Sequence, residues 1–200
     1  MGNKAEKTRQ NIINAAFKCF AVDSYNKVSL KIIEAKTGLS RGALLYHFPT
    51  KEKIFVEVVD KILINSLSVT TVNEDEIHSF SDFIEAYLAQ LSQLQKQFRA
   101  LKILNMAFGL VNLHMESFHY YKDFHKIALK WNEAENKAWF KQLSEAIKRN
   151  EIRADIEKEK IARSFKNLFY GTAYESLNSS KDDFLRMLKW QYYFLYNSLK

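Results

Sequence analysis

One proline and five glycines are all that punctuate these 200 residues. Strands and hairpins need frequent turn formers, so this scarcity argues for helices joined at few corners. The hydrophobic share is 47%, with 15 Phe and 10 Tyr, ample for a packed core. A disordered chain carries far fewer aromatics. An all-α protein of one or two small domains is expected.

The lone proline, Pro49, closes the most constrained corner. Residues 37–53 read Thr-Gly-Leu-Ser-Arg-Gly-Ala-Leu-Leu-Tyr-His-Phe-Pro-Thr-Lys-Glu-Lys. Ser29 can cap a helix over residues 30–36, and Gly38 suits the left-handed position that ends it. Leu39 then plugs the corner. Ser40 caps a helix over 41–47, Pro49 stops it, and Thr50 caps the next. A helix of about two turns is not stable alone, so it is kept for what its exposed face touches. Here that face carries Ser40, Arg41, Gly42, Tyr46 and His47, groups suited to a DNA groove and its phosphates.

Around this corner the apolar periodicity predicts a first helix over 4–22, with Ile12, Ile13, Ala16, Phe17 and Phe20 on one stripe. The fourth helix, over 51–67, carries Ile54, Phe55, Val58, Val59, Ile62 and Leu63. Residues 68–76 read as a joint, and body helices are expected at 79–97, 99–112, 121–150, 158–177 and 181–199. The organisation is then a helix-turn-helix head over 1–50 and a helical body over 51–200, linked by the fourth helix. The single cysteine, Cys19, excludes an intramolecular disulfide and reads as a small buried hydrophobe.

The net charge of +7 is uneven: residues 1–61 hold 11 Lys/Arg against 6 Asp/Glu, leaving 19 against 17 for the rest. The basic excess accompanies the short helix and favours a polyanionic partner there. No apolar leader core follows Met1, and no apolar run approaches the roughly 20 residues of a membrane span. A cytoplasmic protein without membrane contact is expected.

Two helices joined by a short glycine-bearing turn, the second very short, fit a helix-turn-helix. Residues 9–54 resemble the N-terminal domain of the TetR family of bacterial transcription regulators. The family run, roughly Gly-Val-Ser-Lys-Gly-Thr-Leu-Tyr-Tyr-His-Phe-Pro-Ser-Lys-Glu, stands here as Gly38-Leu39-Ser40-Arg41-Gly42-Ala43-Leu44-Leu45-Tyr46-His47-Phe48-Pro49-Thr50-Lys51-Glu52. Ile12-Ile13, Ala15-Ala16 and Phe20 match the family's first helix. Four positions depart: Leu45 for a tyrosine, Ala43 for a threonine, Glu34 for a buried alanine and Ser24 for a glycine. Glu34 is expected to face solvent or to pair with a nearby lysine. These changes bear on base specificity more than on fold.

The resemblance implies a regulator, on family grounds a repressor, that binds a double-stranded palindromic operator as a homodimer and is released by a small effector. Within that frame Arg41 suits guanine O6 and N7, Gly42 lets the backbone approach the groove floor, and Ala43 offers a methyl to thymine. Tyr46 and His47 reach phosphates, Lys51 adds charge at a helix N-terminus, and Ser29 and Lys31 hold the opposite groove wall. Ser40 completes the set; Ile33, Leu39, Leu44 and Phe48 are expected in the core.

In the body, Phe184, Leu188, Tyr192, Leu195 and Leu199 form one stripe, and Ile161, Phe165, Leu168 and Thr172 another. By the resemblance, the last two helices pair with their symmetry mates. The expected dimer face is therefore Phe165, Leu168, Thr172, Phe184, Leu188, Tyr192 and Leu195, unless both stripes pack within one chain. An aromatic-rich segment suggests a pocket lined by Phe108, Met115, Phe118, His119, Phe124 and Trp131, closed by Tyr170 and Tyr174. Its effector would be small and largely apolar; the alternative is ordinary core.

A rival reading is a helical metalloprotein or enzyme, because Glu116/His119 and Asp75/His78 share the carboxylate-x-x-His spacing of di-iron bundles. No glycine-rich phosphate loop, zinc motif or nucleophile elbow accompanies them. The expectation is no catalysis, no metal and no cofactor.

Overall fold

The computed structural model describes residues 2–179 and 183–200. Among these there are nine α-helices and no strand. The first four are α1 (Gly2–Phe20), α2 (Leu30–Thr37), α3 (Arg41–His47) and α4 (Lys51–Val59). They form the smaller layer. Ile12, Ala16, Phe20, Ile33, Leu44, Ile54 and Phe55 are buried between them. Arg9 ties α1 to this corner twice, pairing with Glu57 at 2.6 Å and lying 4.3 Å above the Phe48 ring.

Past Val59 the fourth helix widens into one π-helical turn, Asp60–Ile64. Sequence periodicity predicts an unbroken helix there, and no glycine or proline marks the change to i→i+5 bonding. The turn is pinned from the body by the Tyr121 hydroxyl, which donates to Asp60 Oδ1 at 2.9 Å. Burial and that bond push the Tyr121 phenol up to about 12, and burial raises Asp60 as well.

The larger layer holds α5 (Phe80–Ala100), α6 (Met106–Tyr120), α7 (Phe124–Lys148), α8 (Lys158–Glu175) and α9 (Phe184–Ser198). The expected helix over 99–112 is a miss. The chain instead breaks after Ala100 with Lys102 at φ 60°, and Asn105 caps α6 by accepting the Phe108 N–H at 2.9 Å. No glycine or proline announces this break. Gly109 lets α6 cross close to α1 and α5: a Cβ there would lie 2.7 Å from Phe98 Cε1 and 3.3 Å from Ala21 Cβ. Of the expected ninth helix, 181–199, residues 181 and 182 lie outside the described residues.

The body core is an aromatic cluster around Trp139. Its ring stacks on Phe165 at 4.8 Å and meets Phe83 at 5.1 Å and Tyr192 at 5.4 Å. This corrects most of the expected dimer face. Phe165, Thr172, Phe184, Leu188 and Tyr192 are buried inside the chain, because α8 and α9 turn those stripes inward onto α5 and α7. Leu168 and Leu195 alone of that set remain partly exposed. The outward positions of α9 are Trp190 and Phe194, 67% and 69% exposed, with ring centroids 5.7 Å apart.

Candidate nucleic-acid interface

The short α3 is held at both ends and underneath. Ser40 Oγ accepts from the Ala43 N–H at 3.3 Å, Gly38 takes φ 70° to close α2, and buried Leu44 and Phe48 anchor the inner face. An αL residue costs glycine nothing, whereas a Cβ would strain the turn. With the inner face committed, Arg41, Gly42, Ala43 and Tyr46 all point to solvent, and Tyr46 is 84% exposed. Nothing lies within 4 Å of a Cβ built on Gly42, so that side of the helix is open. His47 is half-buried, with its ring edge-on to Tyr46 at 5.3 Å.

The neighbouring walls follow from two more caps. Ser29 Oγ accepts from the Ile32 N–H at 3.3 Å and leaves Lys31 exposed beside it, while Thr50 Oγ1 accepts from the Lys53 N–H at 3.2 Å. Lys51 departs from the expected phosphate contact. Its ammonium donates to the Tyr25 carbonyl at 3.0 Å and sits 3.8 Å over the Tyr25 ring, and burial lowers its pKa. Glu34 also departs from expectation: it pairs with Arg41, not with a lysine, at 2.9 Å from carboxylate to Nε.

The body reaches into this head through α6. Glu116 Oε2 accepts the Tyr25 N–H at 2.7 Å, and Asn26 donates to the Tyr120 hydroxyl at 2.7 Å. Tyr120 also stacks on Tyr25 at 4.0 Å, and Asn112 donates to the Phe20 and Asp23 carbonyls. Glu116 is thus engaged as a structural acceptor. Among the described residues, no group of three or more His, Cys, Asp or Glu is placed to hold a metal ion.

The opposite side of α6 borders an apolar cavity of about 460 Å³. Of the eight residues proposed from sequence, Met115, Trp131, Tyr170 and Tyr174 line it. The other four do not. Phe124 is buried, packing on His114 at 5.6 Å and on Phe118 at 5.1 Å, while Phe108, Phe118 and His119 are exposed and outside the lining. The lining also holds His114, a histidine of the aromatic-rich segment, and Leu63, Leu67, Leu110, Val111, Phe169, Gly171 and Ala173, which sequence reading missed. Leu63 and Leu67 belong to the chain just past α4, where periodicity alone reads as core. His114 is the polar exception, and burial lowers its pKa, favouring the neutral ring. Among the described residues, no helix is long and apolar enough to cross a membrane.

Residues 12–58 match the family model described as bacterial regulatory proteins, tetR family. Over 55 residues the chain is 42% identical to the HTH-type transcriptional repressor AcnR of Corynebacterium efficiens, a match covering 28% of this chain and 29% of that protein. It is 29% identical over 112 residues to the transcriptional regulator UidR of Escherichia coli, covering 56% and 57% of the two chains. The matches thus span less than two thirds of these relatives' lengths. A TetR-family regulator from Cytophaga hutchinsonii shares the fold over 98% of this chain and 96% of its own, with a TM-score of 0.74 and 20% identity. The TetR regulator TylP of Streptomyces fradiae gives 0.69 at 23% identity, covering 98% and 87%. Residues 12–58 are thus similar to the helix-turn-helix domain of the tetR family of bacterial regulatory proteins, and the chain shares its overall fold with these solved regulators.

Proposed function

We propose that the protein is a DNA-binding transcriptional repressor that acts as a homodimer on a palindromic operator and is released by a small, largely apolar effector. The carrying observation is the outward presentation of Arg41, Gly42, Ala43 and Tyr46 on a short helix whose inner face is fully committed. A short helix presented outward in this way suits a major-groove reader, and the basic excess of residues 1–61 adds the sequence-independent attraction. The repressor assignment draws on the name of the AcnR relative.

The dimer reading is supported by the exposed Trp190–Phe194 face of α9, flanked by Leu168 and Leu195. Aromatics grouped in this way mark interaction surfaces. A two-fold contact there sets two copies of α3 for half-sites about one DNA turn apart. The effector reading is supported by the cavity, whose walls include both the chain after α4 and helix α6. A ligand filling it acts on the two elements that touch the head. If it favours a mis-spaced dimer by about 3 kcal/mol, DNA affinity falls roughly 150-fold.

Selection of bound sequences from random duplex DNA tests the proposal. The expected result is a palindrome with half-sites about one turn, or a multiple, apart. Arg41→Ala should then cost about 1–3 kcal/mol and relax preference at one base pair. Failure to enrich any sequence overturns it.

A further inference from the structure

We infer that Glu34 is a positioning residue for base reading: its ion pair with Arg41 fixes the guanidinium so that only the Nη edge is offered to the groove. This rests on the DNA-binding function proposed above and names the device that sets its specificity.

The geometry starts from the backbone. Ile33 is buried, so the register of α2 is fixed, and Glu34 lies beside the turn leading to α3. Its carbonyl accepts the Gly38 N–H at 2.9 Å and the Thr37 hydroxyl at 3.2 Å, which holds Glu34 firmly under the corner. Arg41 is the first residue of α3, itself set by the Ser40 cap. The two side chains then meet across the turn, Nε to Oε1, at 2.9 Å. The side chain of Glu34 is 20% exposed and that of Arg41 is 60% exposed, so the acid lies under the arginine and the guanidinium end faces out.

A guanidinium has five N–H donors. With Nε taken, the four N–H groups on the two Nη atoms remain, enough for paired bonds to guanine O6 and N7. A free arginine must give up rotamer freedom to make those bonds, whereas one tethered at Nε has given up part of it beforehand. The carboxylate also brings negative charge close to the phosphates, which weakens binding to every sequence alike. The two effects have opposite signs on separate observables. Loss of Glu34 should lower discrimination while raising general affinity. A residue with only a structural role would lower both.

The test measures dissociation constants by fluorescence anisotropy at fixed salt. The DNA set is the selected operator, its single-base-pair variants and an unrelated duplex. The proteins are wild type, Glu34→Ala, Glu34→Gln, Arg41→Ala and the Glu34→Ala/Arg41→Ala double variant, each checked for folding by its melting transition. Glu34→Ala should reduce discrimination at the Arg41-dependent base pair by roughly threefold or more, out of the 5- to 150-fold a read position commonly carries, and should bind the unrelated duplex more tightly. Glu34→Gln keeps an acceptor for Nε without the charge, so it should retain discrimination yet share the gain in general affinity. In the Arg41→Ala background, removing Glu34 should alter discrimination at no position. Unchanged discrimination in Glu34→Ala, or uniform weakening on all sequences, overturns the positioning role and leaves DNA binding standing. A wild-type protein that binds no duplex overturns both.

Discussion

The corner built by α2, α3 and α4 and the bundle built by α7, α8 and α9 are both helical, yet they are held in opposite ways. Each short helix of the corner starts with a hydroxyl that accepts a hydrogen bond from its first turn: Ser29, Ser40 and Thr50. The long helices of the bundle start at Asp123, Glu157 and Asp183, none of which makes such a bond. A helix of seven to nine residues forms too few internal bonds to offset its nucleation, so its ends must be secured locally. A helix of 15 to 25 residues can fray at its end and still be held by the face it buries. The corner is therefore specified by neighbours in sequence and the bundle by partners far along the chain.

If that contrast is right, the largest loss comes from the centre of the bundle. Trp139 is buried among Phe80, Phe83, Tyr87, Phe165 and Tyr192. Trp139→Ala should destabilise by about 3–5 kcal/mol, read from denaturant unfolding at fixed protein concentration. A loss below about 1 kcal/mol would break the picture of an aromatic keystone. Next comes the acid buried one turn before it. Glu135 is 5% exposed, and burial pushes its pKa up to about 7, although it accepts the Val69 N–H at 3.2 Å and Lys166 lies near.

A carboxyl whose pKa is raised on folding contributes its full stability below the unfolded value and loses it as pH rises through the folded value. The window here runs from the ordinary 4.5 to about 7, and the full loss is about 3 kcal/mol. Glu135→Gln keeps an acceptor for Val69 without the titration. The variant should gain on the wild type by up to that amount between pH 5 and pH 8, measured by paired denaturation curves. Equal pH dependence in both proteins would place the charge in water, not in the core.

This contrast also explains what the sequence made legible. The caps, Gly38 and Pro49 are local signals, so the boundaries of α3 and the exposure of Arg41 and Tyr46 follow from reading a few adjacent residues. Phe184, Leu188 and Tyr192 show the right helical stripe. However, periodicity gives a buried face without naming what buries it, and the partner proved to be Trp139 and its neighbours. The cavity was legible only at Met115, Trp131, Tyr170 and Tyr174. Leu63 and Leu67 join it from the π-helical turn and the stretch just after it, a widening that no glycine or proline marks. The Glu34–Arg41 pair spans seven residues and a turn, beyond the reach of helical spacing rules.

A smaller effect sharpens the comparison directly. Ser40→Ala removes the hydroxyl that caps α3 and should cost about 1 kcal/mol. Asp183→Ala at the start of α9 removes only an exposed pairing with Arg186, at 3.2 Å, and should stay within about 0.5 kcal/mol. Both are read from the same unfolding curves. Equal costs at the two sites would mean that local capping does not separate the corner from the bundle.

The smallest expected effect probes the contact between the regions. Tyr120→Phe deletes the bond from Asn26 at 2.7 Å and keeps the ring that stacks on Tyr25. The bond is exposed, so the cost should be about 0.5 kcal/mol, near the lower end for a neutral hydrogen bond. Global unfolding would barely register it. Hydrogen exchange should, because the cost falls on local opening of the loop between α1 and α2, where amides should exchange roughly twofold faster. Amides beneath Trp139 in α7 should not change. If they accelerate equally, the loop and the bundle open as one cooperative unit, and the corner owes its order to the bundle rather than to its own caps.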